Sequence, residues 1–333
     1  MEQPPGVDAN GQQTARRQVA TFADLFRSIV DNVGKIIQGK TEVIELVVLC
    51  LVSEGHLLIE DRPGVGKTTM AKALATSVDT TFGRIQFTPD LLPSDVVGVT
   101  VFDRGANEFT FRAGPVFSNI VLADEINRAS PKTQSALLEA MAEVQVTIDG
   151  HTHQLNRPFI VIATQNPIEH EGTYPLPDSQ LDRFLMRISM GYPSREDEMS
   201  ILETHGESDG LENLQAVVTT AKVAAMAQAV RGVHVAPAIQ EYLVDLADAT
   251  RRHPYVWVGM SPRATLALQR VARARAAAAG RAYVSPDDIK ALAQPVLAHR
   301  LLLNPDAQLQ GISSSRVLQD IINQVPVPVP ATS

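Results

Sequence analysis

The stretch Leu57-Leu58-Ile59-Glu60-Asp61-Arg62-Pro63-Gly64-Val65-Gly66-Lys67-Thr68-Thr69 constrains the fold more than any other part of the chain. An apolar run short enough for a buried strand breaks into a Gly/Pro loop, and the loop opens onto Met70-Ala71-Lys72-Ala73-Leu74-Ala75, rich in helix formers. Strand, glycine loop and helix in that order are the setting a phosphate-binding loop requires. Glycines let backbone N–H groups turn inward around phosphate oxygens, and the helix start adds unpaired N–H donors and the positive end of its dipole. Lys67 is placed to reach the β- and γ-phosphates of a nucleotide as a point charge, and the Thr68 hydroxyl to ligate a bridging Mg²⁺. One position departs from the G-x-x-x-x-G-K-[ST] pattern: Asp61 stands where the first glycine belongs. That glycine supplies turn geometry rather than a phosphate contact, and aspartate tolerates turns. A glycine-rich turn with an incidental lysine explains the residues less well, because it accounts for neither the strand before nor the helix after.

At 333 residues the chain is long for a single core, so two domains are expected. A hydrophobic fraction of 44% with 20% charged residues describes a globular protein, and the alanine-rich stretch 221–300 favours helices there over a β-sandwich. The net charge of −8 argues against non-specific wrapping of nucleic acid, which needs a basic face. The single cysteine, Cys50, lies in an apolar run and reads as a buried small hydrophobe in a reducing compartment. No apolar run approaches the ~18 residues of a membrane span. The start of the chain is polar, without a signal-like core, so a cytoplasmic location is expected.

Residues 1–20 read as a disordered tail, and Thr21 as the cap of a helix whose apolar face is Phe22, Leu25, Phe26, Ile29 and Val30. Gln38-Gly39, between that helix and a second one over Thr41–Ser53, makes a lip for an adenine base ahead of the loop. Apolar strands at Arg84–Phe87, Ile120–Asp124 and Pro158–Thr164, separated by helices, imply a parallel sheet with the site at the strands' carboxyl ends. Two hairpins interrupt this pattern, Gly98–Phe102 with Glu108–Arg112, and Val144–Ile148 with His151–Leu155 across an Asp149-Gly150 turn. From about Ser194 the chain turns to helices, several opened by Ser-Pro, and the end from Pro326 is too rich in proline to stay helical. The expected organisation is therefore a tail over 1–20, a nucleotide-binding αβα domain over 21–193, a smaller all-α lid domain over 194–325 and a tail over 326–333.

Asp124-Glu125 closes an apolar strand downstream of the loop. Asp124 suits the Mg²⁺ shell, and Glu125 suits polarising a water for attack on the γ-phosphate. Asn166, at the end of the next strand, sits where an amide can orient that water. Arg183, in Leu181-Asp182-Arg183-Phe184, follows the sheet strands and is suited to a neighbouring subunit's γ-phosphate; pairing with Asp178 or Asp182 on the surface is the competing reading. Arg263 opens a lid helix from which it can sense the γ-phosphate. His151 and His153 share a strand face, but no third ligand has metal-site spacing, so a solvated hairpin face is expected.

Together these residues resemble the AAA+ ATPase superfamily and, within it, the MoxR family, over roughly residues 22–324. The pieces that carry the resemblance are Glu60–Thr68, Leu122-Ala123-Asp124-Glu125-Ile126-Asn127-Arg128-Ala129, Gln165-Asn166-Pro167-Ile168-Glu169 with Gly172–Pro177, Leu181–Phe184 and Gly259–Ala264. Asp61 suits that family. The resemblance implies a Walker A loop formed by Asp61, Arg62, Pro63, Gly64, Val65, Gly66, Lys67, Thr68 and Thr69, and a Walker B pair Asp124 and Glu125. It further implies sensor 1 at Asn166, an arginine finger at Arg183 and sensor 2 at Arg263. Thr68 and Asp124 would hold Mg²⁺, with ATP as the nucleotide. Residues 98–112 and 144–155 would be the helix-2 insert and pre-sensor-1 hairpin facing a central pore. Gln38-Gly39 reverses the Gly-Gln order usual in the adenine-side motif, and no role attaches to Arg128. Members are similar in forming rings, usually hexamers, and in acting as chaperone-like ATPases on client proteins, with partners bearing von Willebrand factor A domains.

Two other functions compete: a nucleic-acid ring motor and a scaffold switched by ATP. A hairpin tracking phosphates should carry Lys or Arg. Val144–Leu155 has neither, which favours a protein substrate.

Overall fold

The computed structural model describes residues 9–105, 107–167, 173–204 and 210–328. Ile168, Glu169 and Gly172 of the motif after Asn166, residues 1–8, and residues 329–333 of the expected C-terminal tail lie outside the described residues. Two compact units divide the chain, Ile29–Ala224, and Met1–Ser28 with Ala225–Ser333.

The larger unit follows helix α1 (Ala9–Gly34) with α2 (Thr41–Val52), β1 (Leu57–Glu60), α3 (Lys67–Ser77), β2 (Phe82–Gln86), α4 (Pro93–Val97), β3 (Gly98–Asp103) and β4 (Glu108–Ala113). It continues through β5 (Ile120–Asp124), α5 (Pro131–Glu143), β6 (Gln145–Ile148), β7 (His151–Gln154), β8 (Ile160–Gln165), α6 (Asp178–Leu181), β9 (Met186–Ile188) and α7 (Arg195–Thr204). Five strands form a parallel sheet in the order β2-β5-β8-β1-β9. Their near-continuous apolar runs suit a sheet covered on both faces. Leu58, Val121, Val161 and Ala163 pack against Leu137, Leu138 and Met141 of α5 in one buried cluster. The order sets β8 between β1 and β5, so the loop after β1 and the polar residues ending β5 and β8 emerge side by side, where open α/β sheets bind ligands.

The two hairpins form as expected. β3 pairs with β4 from Gly98↔Ala113 to Asp103↔Glu108, and β6 with β7 across Asp149 and Gly150, both at positive φ. Ser130 caps α5, its hydroxyl accepting from the Thr133 N–H.

Two boundaries and one strand differ from the sequence reading. Helix α1 begins at Ala9, so Thr21 is interior to it rather than its cap, and helix-forming Ala, Gln and Arg run through what was expected to be tail. Residues 194–224 fall in the larger unit. The N–H groups of Val217 and Val218 donate to the Ser77 carbonyl at the end of α3 (3.0 and 3.2 Å), and the Asn32 amide donates to the Gln215 carbonyl (2.9 Å). The fifth strand, β9, was not expected at all; three residues are too few for a periodic signal.

The smaller unit holds the end of α8 (Thr220–Arg231), then α9 (Pro237–Arg252), β10 (Val256–Val258), α10 (Pro262–Ala278), α11 (Pro286–Leu297), β11 (Leu302–Leu303), α12 (Pro305–Leu309) and α13 (Ser314–Gln324). It is helical apart from a short antiparallel pairing of β10 with β11. Beyond α13 the chain is non-helical as far as Pro328.

Candidate nucleotide-binding site

Gly64 and Gly66 take positive φ (82° and 90°) in the loop between β1 and α3. A Cβ on Gly64 would meet nothing within 4 Å, so the conformation rather than crowding calls for glycine there. The loop ends as the N-cap of α3, whose first residues are Lys67, Thr68 and Thr69. A cavity of about 330 Å³ opens above it, lined by the loop, the α3 start, Asp124, Glu125 and Asn166. Helix-start N–H groups and a lysine face it from one side and two carboxylates from the other, a set that fits a polyphosphate with its cation. The Thr68 hydroxyl and Asp124 carboxylate are hard oxygen donors of the kind Mg²⁺ takes. Lys67 Nζ donates to the Asp61 carbonyl at 2.8 Å. Burial pulls its pKa below the usual lysine value, against the opposing charges of Asp61, Asp124 and Glu125.

Register explains how the acids are held. Ala123 lies opposite Ala163, which brings Asp124 level with Thr164. The Thr164 hydroxyl donates to Asp124 Oδ1 at 2.7 Å and accepts the Glu125 N–H at 2.8 Å. Glu125 itself sits in the left-handed region (φ 56°), uncommon for a residue with a side chain. Arg84 of β2 donates to Asp124 Oδ2 at 2.7 Å, while Gln86 and Arg128 donate to Glu125 Oε2 at 3.0 and 3.1 Å. Sequence reasoning passed over Thr164, Arg84 and Gln86, and left Arg128 without a role. Only Gln86 ends its strand; Arg84 is in the middle of β2, Thr164 is one residue inside the end of β8 and Arg128 is on no strand, so no shared sequence pattern pointed to them.

The segment 56–186 matches the model of the ATPase family associated with various cellular activities (AAA), and 248–321 matches the AAA lid domain. The protein Chaperone MoxR1 of Mycobacterium tuberculosis is 41% identical over 98% of this chain and 86% of its own. The chain belongs to the MoxR family of AAA+ ATPases. The Bacillus subtilis protein YeaC is 49% identical over 92% of this chain and 95% of its own length. A solved structure of a candidate ATPase from Cytophaga hutchinsonii superposes with a TM-score of 0.90 at 38% identity, covering 96% of this chain and 99% of that one. Family membership makes the chain a nucleotide-binding ATPase, and among the described residues no helix is long and apolar enough to cross a membrane.

The remaining expected site residues are not among those that line the cavity. Asp61, Arg62 and Val65 belong to the loop but do not line the cavity. The Asp61 carboxylate accepts from Arg62 N at 2.8 Å, Ser189 Oγ at 2.9 Å, and the N–H groups of Met190 and Gly191 at 2.7 Å each. Burial raises its pKa, but these hydrogen bonds outweigh that and hold it below the ordinary aspartate value. Gln38 and Gly39 join α1 to α2; Gly39 has φ 68°, and a Cβ there would overlap the Asp197 carboxylate. Arg183 is half-buried after α6, its guanidinium donating to the Leu138 carbonyl of α5 at 2.5 Å. Arg263 is exposed in the first turn of α10, within the smaller unit. His153 stacks on Phe111 with ring centroids 4.2 Å apart, so it packs the two hairpins together instead of being wholly solvated; His151 is exposed. No group of three or more His, Cys, Asp or Glu suited to a metal occurs among the described residues.

Proposed function

We propose that the chain hydrolyses ATP with Mg²⁺ and uses the turnover to remodel, assemble or activate partner proteins. The observation that carries the chemical half is the convergence of the glycine loop, two acids and Asn166 on one cavity. In this reading the loop N–H groups and Lys67 hold the phosphates, while Thr68 and Asp124 hold Mg²⁺, which when bound neutralises phosphate charge. Glu125 draws a proton from the attacking water, and the Asn166 amide, 8% exposed, orients that water. For Glu125 to act, its carboxylate leaves Gln86 and Arg128. Arg183 would serve the γ-phosphate of the next subunit in a ring, taken as hexameric, and Arg263 would report γ-phosphate loss to the lid. The name of the mycobacterial relative, a chaperone, supports the protein-directed half. So does the β3–β4 hairpin, whose Phe102 and Phe109 pair edge to face while 48% and 73% exposed. Clients and proteins with von Willebrand factor A domains are the proposed partners. The buried Cys50 suits a reducing compartment such as the cytoplasm.

Calorimetry with ATP and a phosphate-release assay test the chemical half. Lys67→Ala is expected to lose ATP binding, and Glu125→Gln to bind ATP as the parent does while hydrolysing it at least about a hundredfold more slowly. Normal ATP affinity in the first variant, or parental turnover in the second, refutes the corresponding assignment.

A further inference from the structure

Arg84 stands on β2, the edge strand of the sheet, and its partner across the ladder is Leu122 rather than Asp124. Its side chain runs diagonally to Asp124, two residues further along β5, and the two-residue period of a strand puts Gln86 on the same face. One terminal nitrogen, Nη2, makes both contacts there, donating to Asp124 Oδ2 and to Gln86 Oε1 at 2.7 Å each. A terminal guanidinium nitrogen carries two hydrogens, so both are used. The group is fixed in this way although the Arg84 side chain is 48% exposed, against 14% for Asp124.

With Thr164, Arg84 completes a grip on the carboxylate. Thr164 donates to Oδ1 and Arg84 to Oδ2, so each oxygen is held by one side-chain donor and keeps a lone pair. Asp124 lines the cavity and neither donor does, so the hold comes from outside the lining. With one oxygen released, the carboxylate could turn about its Thr164 contact, because the terminal torsion of aspartate is soft. Hydrogen bonds of this kind commonly orient a carboxylate that ligates a metal. The positive charge of Arg84 acts in the opposite sense and repels a metal cation, but on a half-exposed guanidinium it is screened by water and salt. Orientation therefore outweighs repulsion. We propose that Arg84 is a positioning residue for Mg²⁺, keeping the Asp124 carboxylate in the orientation that receives the metal while touching neither metal nor phosphate itself. This inference rests on the ATP reading above and adds to it a residue that the reading leaves out.

The test isolates the metal from the nucleotide. ADP is titrated by calorimetry into the parent, Arg84→Met and Arg84→Lys, once in EDTA and once in Mg²⁺, and the readout is the gain, the Kd in EDTA divided by the Kd in Mg²⁺. Methionine keeps an unbranched stem and removes both charge and donor. Lysine keeps several donors on a single nitrogen, which is how Arg84 makes both contacts, and it also serves if the methionine variant folds poorly. In Arg84→Met the gain is expected to fall about fivefold or more, with the Kd in EDTA within about twofold of the parent. In Arg84→Lys the gain is expected to stay within about twofold of the parent's, and a loss as large as in Arg84→Met refutes the role given to Nη2. A gain unchanged in Arg84→Met overturns the inference, and so does a larger one, since Arg84 would then compete with the metal. A Kd raised equally in both buffers also overturns it, because Arg84 would be acting on the phosphates. A parent that binds ADP equally in both buffers takes Mg²⁺ out of the site, and a parent that binds no ADP removes the nucleotide reading first; this inference falls in either case.

Discussion

Thr164 shows how much of the site depends on a side chain with no chemistry of its own. It is 1% exposed, and its hydroxyl spans two neighbours, donating to Asp124 and accepting from the Glu125 N–H. Thr164→Val keeps the shape but leaves that N–H facing a methyl group, at a cost of about 1–3 kcal/mol. Glu125 holds a left-handed backbone conformation, so loss of the bond that fixes its N–H should shift where its carboxylate points. Turnover is expected to fall about 10–100-fold, with the ATP Kd changed less than about threefold and activity largely restored in Thr164→Ser. Parental turnover in the valine variant removes this role. Nothing in the sequence marked Thr164, because its function comes from register: only when Ala123 is opposite Ala163 does Thr164 come level with Asp124. Lys67, Asp124 and Glu125 were legible because their spacing along the chain carries the information.

Whole elements were legible wherever a periodic pattern ran long enough or a turn residue punctuated it. Helices α5, α9 and α10, each opened by proline, begin where Pro131, Pro237 and Pro262 say they should. Strand β9 was not legible, nor was the early start of α1, since the first is too short for a period and the second has polar helix formers in place of an apolar face. Helix α11 carries a prediction at this scale. Asp288, in its first turn, is 2% exposed and accepts from both terminal nitrogens of Arg281 (2.8 and 2.7 Å) and from the Ser285 N–H and hydroxyl (2.9 Å each). Burial pushes the carboxyl pKa up, but the Arg281 and Ser285 hydrogen bonds outweigh that and hold it below the ordinary 3.8. Asp288→Ala is expected to lower stability by about 2–3 kcal/mol at neutral pH, less than for a fully buried pair because Arg281 stays 29% exposed and can hydrate. A carboxylate depressed in the folded state stabilises above its unfolded value of 3.8, and that contribution fades as pH falls through the lower folded value. The gap in denaturant midpoint between parent and variant should therefore be full at pH 7 and narrow in acid, as pH falls below 3.8 and through the lowered folded value. A gap that does not change with pH would leave packing, not charge, as the cause.

At the scale of the molecule, the sequence reading separated a nucleotide-binding part from a helical part but put the division too early. Residues 194–224 follow the sheet unit because their backbone and carbonyl groups bond to Ser77 and Asn32, contacts that no local pattern records. The same limit applies between subunits, where the proposed ring places Arg183 at a neighbour's nucleotide. Within its own subunit Arg183 uses one terminal nitrogen on the Leu138 carbonyl, which anchors the guanidinium while a five-donor group has N–H bonds left for an anion. Arg183→Ala is expected to bind ATP as the parent does and to hydrolyse it at least about a thousandfold more slowly. Glu125→Gln is expected to be slow by itself for a different reason, since it lacks the group that activates water but keeps the arginine. In a mixture of the two, any interface that joins Glu125 of one variant to Arg183 of the other is complete. Phosphate release should then rise above the sum of the two separate preparations, and should do so only at concentrations where sedimentation detects assembly. Mixed rings that assemble but stay silent would refute action between subunits, whereas parental turnover by Arg183→Ala alone would remove the arginine from the reaction altogether.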